Sequence, residues 1–181
     1  TTGLKSWKPS KFERSAKSAK FKGTVQEMNG HVFECHGEGN KATQFTRTCE
    51  ELQSYSVWTY KYGDDVCYII RNLKEFNLSA HKPIRPEPTG SDSEPDPTDL
   101  KIWEKEIDEF VRRKIAYAQN KAALYMVVWA QCSEGMQAKI KSKQDYDHMN
   151  EHRDVLTLLQ FVKSVAYKFE SEGKYVYDAI L

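Results

Sequence analysis

The stretch from Asp99 to Phe169 most constrains the fold, because its apolar residues recur at intervals of three and four. This spacing places apolar side chains on one face of an α-helix. The run AALYMVVWAQC is apolar nearly all round and predicts a helix that is central and buried. The sequence therefore predicts a mostly α-helical protein. The first stripe of this block comprises Trp103, Ile107, Val111 and Ile115 or Ala118.

Capping residues divide this block into separate helices. Thr98 or Asp99 supplies a cap after Pro97, and Ser133 is suited to cap a short helix that carries Met136 and Ile140. The polar run KSKQDYDHMN is expected to end that short helix.

A long amphipathic helix is predicted after Asn150. Its stripe runs from Val155 to Phe169, and Gly173 is expected to end it before a further element begins near Tyr175.

Five of the six prolines lie between residues 81 and 98, among acidic residues, serines and a glycine. Each proline removes a backbone donor and biases the residue before it toward extended conformations. This segment is therefore predicted to be an acidic linker or loop. It separates an amino-terminal helical part, residues 23–80, from a second helical part, residues 99–181.

The amino-terminal part begins with a short extended or β element near residues 30–35. A helix capped by Asn40 is predicted next and is expected to end at Gly63. Asp64 or Asp65 is expected to cap a second helix that reaches about Phe76. The apolar stripe of the first helix comprises Phe45, Cys49, Leu52, Tyr55 and Trp58, and that of the second comprises Val66, Ile69, Ile70 and Leu73.

Charge is distributed unevenly along the chain. The net charge is +1, yet residues 1–22 contain seven basic residues and one acid, Glu13. Such an arm is suited to neutralise phosphates without reading a base sequence. Its aromatic residues are suited either to stack on bases or to dock the arm onto the domain. A solubilising tail is the alternative. The predicted nucleic-acid-binding residues are Lys5, Lys8, Lys11, Arg14, Lys17, Lys20 and Lys22.

Hydropathy and cysteine spacing bear on the compartment. The longest apolar run, Ala122 to Ala130, is far shorter than a bilayer requires, and the first residues lack the apolar segment of a signal peptide. The four cysteines form no close pairs. Free thiols in the cytoplasm and no contact with a membrane are therefore expected.

Two histidine-containing patterns suggest zinc. His148, Glu151 and His152 have the H-x-x-E-H spacing of one class of zinc peptidases, but nothing nearby supplies a third ligand. A solvated first helical turn is the favoured interpretation of this motif. The other candidate set, His31, Cys35, His36 and Cys49, lacks the paired spacing of structural zinc sites, so buried thiols are favoured there.

Motifs for other catalytic chemistry are missing from the sequence. It contains no G-x-S-x-G nucleophile elbow, and neither phosphate-binding glycine pattern is present. We therefore expect a non-enzymatic protein without a cofactor or a small-molecule substrate.

Several segments together resemble the Gag polyprotein of copia-type LTR retrotransposons. They are the W-x-x-E opening at Trp103, the helix ending in VWAQCS, the M-x-A-K-I helix, the DY loop and the D-x-x-x-L-L-x-x-x-K pattern from Asp154. In the first half, KFKGTVQEMNGHVFEC and QFTRTCEELQSYSVWTYKYG resemble the amino-terminal part of such an element. The resemblance spans most of Lys20 to Phe169.

This resemblance implies an orthogonal helical bundle of capsid type that self-associates into shells and packages RNA nonspecifically. The chain lacks the zinc knuckle of a full Gag and contains only the start of a second capsid lobe, which implies a fragment or a truncated copy. The alternative is a helical nucleic-acid-binding regulator that does not assemble, such as a domesticated Gag. The residues expected in the core or at subunit contacts are Trp103, Ile107, Tyr125, Trp129, Leu158 and Phe161, with the core favoured for Trp103 and Trp129.

Overall fold

A computed structural model describes residues 20–37, 39–88, 90 and 94–178, with side chains as far as Lys168. The prediction of a mostly α-helical protein is confirmed, since this part of the chain forms six α-helices and no strand. None of its helices is both long and apolar enough to cross a bilayer. The helices are α1 (Lys41–Thr59), α2 (Gly63–Asn72), α3 (Pro97–Ala130), α4 (Glu134–Lys141), α5 (Tyr146–His152) and α6 (Val155–Asp178).

Helix α1 begins where its cap was predicted. The Asn40 Oδ1 atom accepts a hydrogen bond from the Thr43 N–H at 2.6 Å, which satisfies one of the free donors of the first turn. The helix ends at Thr59.

The predicted role of Gly63 is wrong, because this glycine is the first residue of α2. A Cβ atom at Gly63 would lie 2.2 Å from the Ser56 carbonyl oxygen, so the absence of a side chain allows α1 and α2 to approach closely. Asp64 and Asp65 lie inside the helix, and Tyr62 takes the N-cap position with a left-handed backbone.

Helix α3 begins slightly earlier than predicted. Asp96 is the cap instead of Thr98 or Asp99, and its Oδ1 atom accepts from the Thr98 N–H at 2.7 Å. Pro97 follows at the first helical position, where a missing N–H costs nothing. The end of α3 is buried as expected, through Leu124, Tyr125, Val127 and Val128.

The Ser133 cap is confirmed, since its hydroxyl accepts from the Met136 N–H at 3.3 Å. Both apolar residues expected on α4, Met136 and Ile140, are fully buried. The polar run after α4 differs from the expectation, because its last residues form the short helix α5.

Helix α6 carries the predicted buried stripe but continues through Gly173 to Asp178. A single glycine inside a helix costs only about 1 kcal/mol relative to alanine, which a long helix tolerates. The separate element predicted near Tyr175 is therefore part of α6. The buried residues of α6 are Val155, Leu158, Leu159, Val162, Val165 and Ala166.

Helices from both sides of the proline-rich segment share one core. Helix α1 packs on α2 and α6, and α3 packs on α2 and α6. Part of the proline-rich segment lies against α3, since the Trp103 indole N–H donates to the Pro83 carbonyl at 3.4 Å. The Arg85 guanidinium carbon is 5.9 Å from the centre of the same indole.

The segment from Gly23 to Phe33 is attached to the core by the amide of Gln131, which is fully buried. Its Oε1 atom accepts from the N–H groups of Thr24 and Val25, at 3.1 and 3.0 Å. Its Nε2 atom donates to the His31 carbonyl at 2.6 Å.

The extended element predicted near residues 30–35 is not found as a strand. Phe33 forms a single isolated bridge with Cys132, in which the Phe33 N–H donates to the Gln131 carbonyl at 2.8 Å. One bridge cannot propagate a ladder because the chain enters a helix directly on the other side, at Glu134.

Replacing Gln131 with leucine tests this attachment. The variant keeps the side-chain volume but leaves three backbone groups without their partner, and each such group costs about 1–3 kcal/mol when buried. We expect urea unfolding to show a loss of about 3 kcal/mol or more. The control is Gln119→Leu on the exposed side of α3, for which we expect a change below about 0.5 kcal/mol. Equal losses for the two variants would contradict this role.

Candidate nucleic-acid interface

The predicted basic arm lies mostly outside the described residues. Lys5, Lys8, Lys11, Arg14 and Lys17 all fall in that part of the chain. Lys20 and Lys22, the last two members of the predicted set, are exposed, and each lines a groove in the surface.

The larger groove, here called the basic groove, lies between the first turns of α1 and the loop that precedes it, and has a volume of about 1160 Å³. The Thr48 hydroxyl donates to the Val32 carbonyl at 2.9 Å and holds this loop against α1. The lining residues are Lys20, Phe21, Gly30, His31, Val32, Glu34, His36, Gly37, Gly39, Asn40, Thr43, Gln44, Arg47 and Thr48.

Among the lining residues that the structure describes, two cations, Lys20 and Arg47, outnumber one carboxylate, that of Glu34. Lys20 and Arg47 are exposed, and neither forms an ion pair with another residue that the structure describes. The carboxylate of Glu34 opposes them, and it accepts a hydrogen bond from the Gln44 amide at 3.5 Å. The amino terminus of α1 also faces the groove and adds the positive end of a helix dipole. This arrangement favours an anionic ligand.

A smaller groove adjoins the first. Its volume is about 510 Å³, and it shares Lys20, Phe21 and Gly30 with the basic groove while adding Lys22. The side chains of Lys20 and Phe21 therefore stand at the junction of two cavities.

The histidines of the H-x-x-E-H motif lie on α5, and the described residues do not assemble a metal site around them. The rings of His148 and His152 stack with centroids 4.2 Å apart and planes inclined by 24°. Lone pairs in nearly parallel rings do not converge on one ion. No group of three or more potential ligands is close enough to hold a metal anywhere in the described chain.

The other candidate set, His31, Cys35, His36 and Cys49, combines buried thiols with histidines that line the groove. Cys35 and Cys49 are buried free thiols, as are Cys67 and Cys132. His31 lines the groove, and its Nδ1 atom is 3.0 Å from the Met28 carbonyl oxygen. Burial raises the pKa of the Cys49 thiol to about 12 and that of Cys67 to about 11, which disfavours the reactive thiolate.

The residues predicted for the core or for self-association divide into two groups. Tyr125 and Leu158 are buried and belong to the core. Half-buried positions are taken by Trp103, Ile107, Trp129 and Phe161. The Trp129 ring contacts Tyr146 at a centroid distance of 5.9 Å and lies beneath the Lys141 ammonium group.

One apolar surface was missed by the sequence interpretation. Val111, Ile115 and Met126 are 47, 54 and 48% exposed, although the first two were assigned to a buried stripe. Val111 lies two residues before Arg113, and Ile115 lies two residues before Tyr117, and both of these later residues face inward. Two residues correspond to about 200° of helix rotation. We call the outward set the α3 stripe; its members are Ile107, Val111, Ile115, Ala118, Ala122 and Met126.

Trp58 is a second correction. It was predicted on the buried face of α1 but is 89% exposed, and its neighbour Val57 is 49% exposed. Trp58 lies two residues, or about 200° of helix rotation, beyond the buried Ser56, so its side chain points away from the core.

Comparisons with known proteins found no relative from which a function could be transferred. No family model matches the chain, no curated protein matches it, and no solved structure matches it.

Thiol labelling tests the assignment of the cysteines as buried residues. At pH 8, a thiol reagent is expected to label the native protein slowly, because burial both blocks access and raises the thiol pKa. All four cysteines should react rapidly in denaturant. The matched control is Ser54→Cys on the exposed side of α1, which should add one rapidly labelled thiol. Rapid labelling of the native wild type would contradict the assignment.

Proposed function

We propose that this chain is a capsid-like structural protein of the Gag type, which self-associates into shells and packages RNA. Its sequence resemblance to copia-type Gag supports the family, and its helical architecture is compatible with it. Shell proteins work through repeated contacts between folded surfaces and need no catalytic group.

The α3 stripe is the observation that carries this proposal. Apolar side chains at successive spacings of four, four, three, four and four lie along the side of a 34-residue helix, and Val111, Ile115 and Met126 among them are about half exposed. Isolated exposed apolar residues are ordinary, but a continuous apolar face marks a surface that another protein covers. The two alanines at its centre allow close approach of a second helix.

RNA packaging requires a cationic surface in addition to the assembly surface. The basic arm supplies charge in residues 1–22, and Lys20, near the end of this arm, lines the basic groove. Electrostatic contacts of this kind bind RNA without sequence preference and weaken as salt increases.

The basic groove also supports a second candidate function. A helical nucleic-acid-binding regulator would need this groove and no assembly surface. The two functions differ in whether the chain associates with itself, so a measurement of mass against concentration separates them.

The double variant Val111→Glu, Ile115→Glu tests the assembly surface. We expect the mass of the wild type, measured by light scattering after gel filtration, to increase with concentration, and that of the variant to remain at one chain. Buried charge opposes association across an apolar face. Both residues are about half exposed, so thermal unfolding should change little.

The control is Ile84→Glu, a residue that is 90% exposed in the proline-rich segment. It should assemble as the wild type does. A wild type that stays monomeric at every concentration, with and without added RNA, would overturn the capsid function and favour the regulator. Assembly that is equal in the wild type and the double variant would remove the α3 stripe as its surface.

A further inference from the structure

We propose that the basic groove is a binding site for single-stranded nucleic acid, in which Lys20 and Arg47 contact phosphates and a base stacks on Phe21. This inference rests on the proposed RNA-packaging function and extends it from the arm to a defined surface of the folded domain.

The charges of the groove favour a phosphate backbone. Lys20 and Arg47 are exposed cations that both line the groove, one on the incoming segment and one on the second turn of α1. Within the described chain neither has a carboxylate partner, so binding would not break an existing ion pair. Both can exchange condensed counterions for phosphates, which makes binding favourable through counterion release.

The shape of the groove favours a polymer over a small molecule. Pockets for drug-sized ligands are typically about 300–1000 Å³ and enclose most of the ligand. The basic groove is larger, at about 1160 Å³, and adjoins a second groove of about 510 Å³. A ligand that crosses the junction at Lys20 and Phe21 would occupy both cavities, as successive nucleotides can.

Phe21 favours single strands. Its side chain is half-buried, lines both grooves and makes no ring contact with another described aromatic residue. A free aromatic face stacks on any unpaired base, whereas the bases of a duplex are already stacked on each other. Lys20 and Lys22 flank Phe21 in sequence, so two phosphate-binding groups lie next to this residue along the chain.

The first requirement for a binding site is that it is held open. The Gln131 amide fixes Thr24, Val25 and His31 on one side, and the Thr48–Val32 hydrogen bond fixes the loop on the other. The groove therefore needs little ordering when a ligand enters, which limits the entropy that binding costs.

The test measures fluorescence anisotropy of labelled 12-nucleotide U-rich RNA, its DNA counterpart and an RNA duplex, across a salt series. For Arg47→Gln we expect a weaker affinity and a salt slope reduced by about 0.7, the value for one phosphate contact on a single strand. For Phe21→Ala we expect about a tenfold loss of affinity with an unchanged salt slope, because stacking releases no counterions. Phe21→Tyr should restore binding.

Lys74→Gln is the matched control, since Lys74 is an exposed cation far along the chain from the groove and has no described partner. It should bind as the wild type does. Thermal unfolding of every variant verifies that the fold is retained. Equal affinity for RNA and DNA strands, with weaker binding of the duplex, would support recognition of unpaired bases and phosphates.

Two results would overturn the inference and leave the proposed function in place. One is normal binding by the Arg47 and Phe21 variants while deletion of residues 1–19 abolishes it, which would assign RNA binding to the arm alone. The other is equal affinity for duplex and single strand, which would reduce the groove to a general polyanion surface. A wild type that binds no RNA would overturn both the inference and the proposed function. Groove-dependent binding by a chain that never assembles would retain the inference and overturn the capsid function.

Discussion

The buried side-chain amide of Gln131 holds the segment from Gly23 to Phe33 against the core, and the walls of the basic groove depend on this contact. It lies at the end of the 34-residue helix α3 and bonds to Thr24, Val25 and His31, one hundred or more residues earlier in the chain. An amide can accept two hydrogen bonds on its oxygen while it donates from its nitrogen, so one side chain replaces a strand pairing. A Cβ atom at Gly23 would lie 2.2 Å from this amide, which explains why glycine occupies that turn.

Helix α3 connects this attachment to the surface proposed for assembly. Its inner side is held by the ion pair of Arg113 with Asp65, whose two contacts are 2.7 and 2.5 Å long. The bidentate geometry and the burial of Asp65 fix the rotation of α3 against α2. With that rotation fixed, Val111 and Ile115 face outward. The ion pair thus keeps the α3 stripe, which lies about 200° around the helix from the inward-facing residues, on the side of α3 that faces away from α2.

Local signals in the sequence predicted the features that depend on adjacent residues. The caps at Asn40 and Ser133 and the buried stripe of α6 follow from spacing alone. Gly63 was misinterpreted because a glycine that ends a helix has the same sequence signal as one that permits close packing. Gly173 was misinterpreted because a long helix can continue through a single glycine. The exposure of Val111 and Trp58 depends on which neighbours cover a helix face. The basic groove was missed for a similar reason, since Lys20 and Arg47 line one groove only after the chain has folded around Gln131.

The central claim is that one folded helical unit joins an RNA-binding surface to an assembly surface. Protection of bound RNA from nuclease tests this claim most directly, because protection requires both surfaces at once. Purified protein incubated with single-stranded RNA should form closed particles in electron micrographs and keep the enclosed RNA intact during digestion. Complete digestion of the RNA, with no particles under conditions where the protein binds it, would contradict the account.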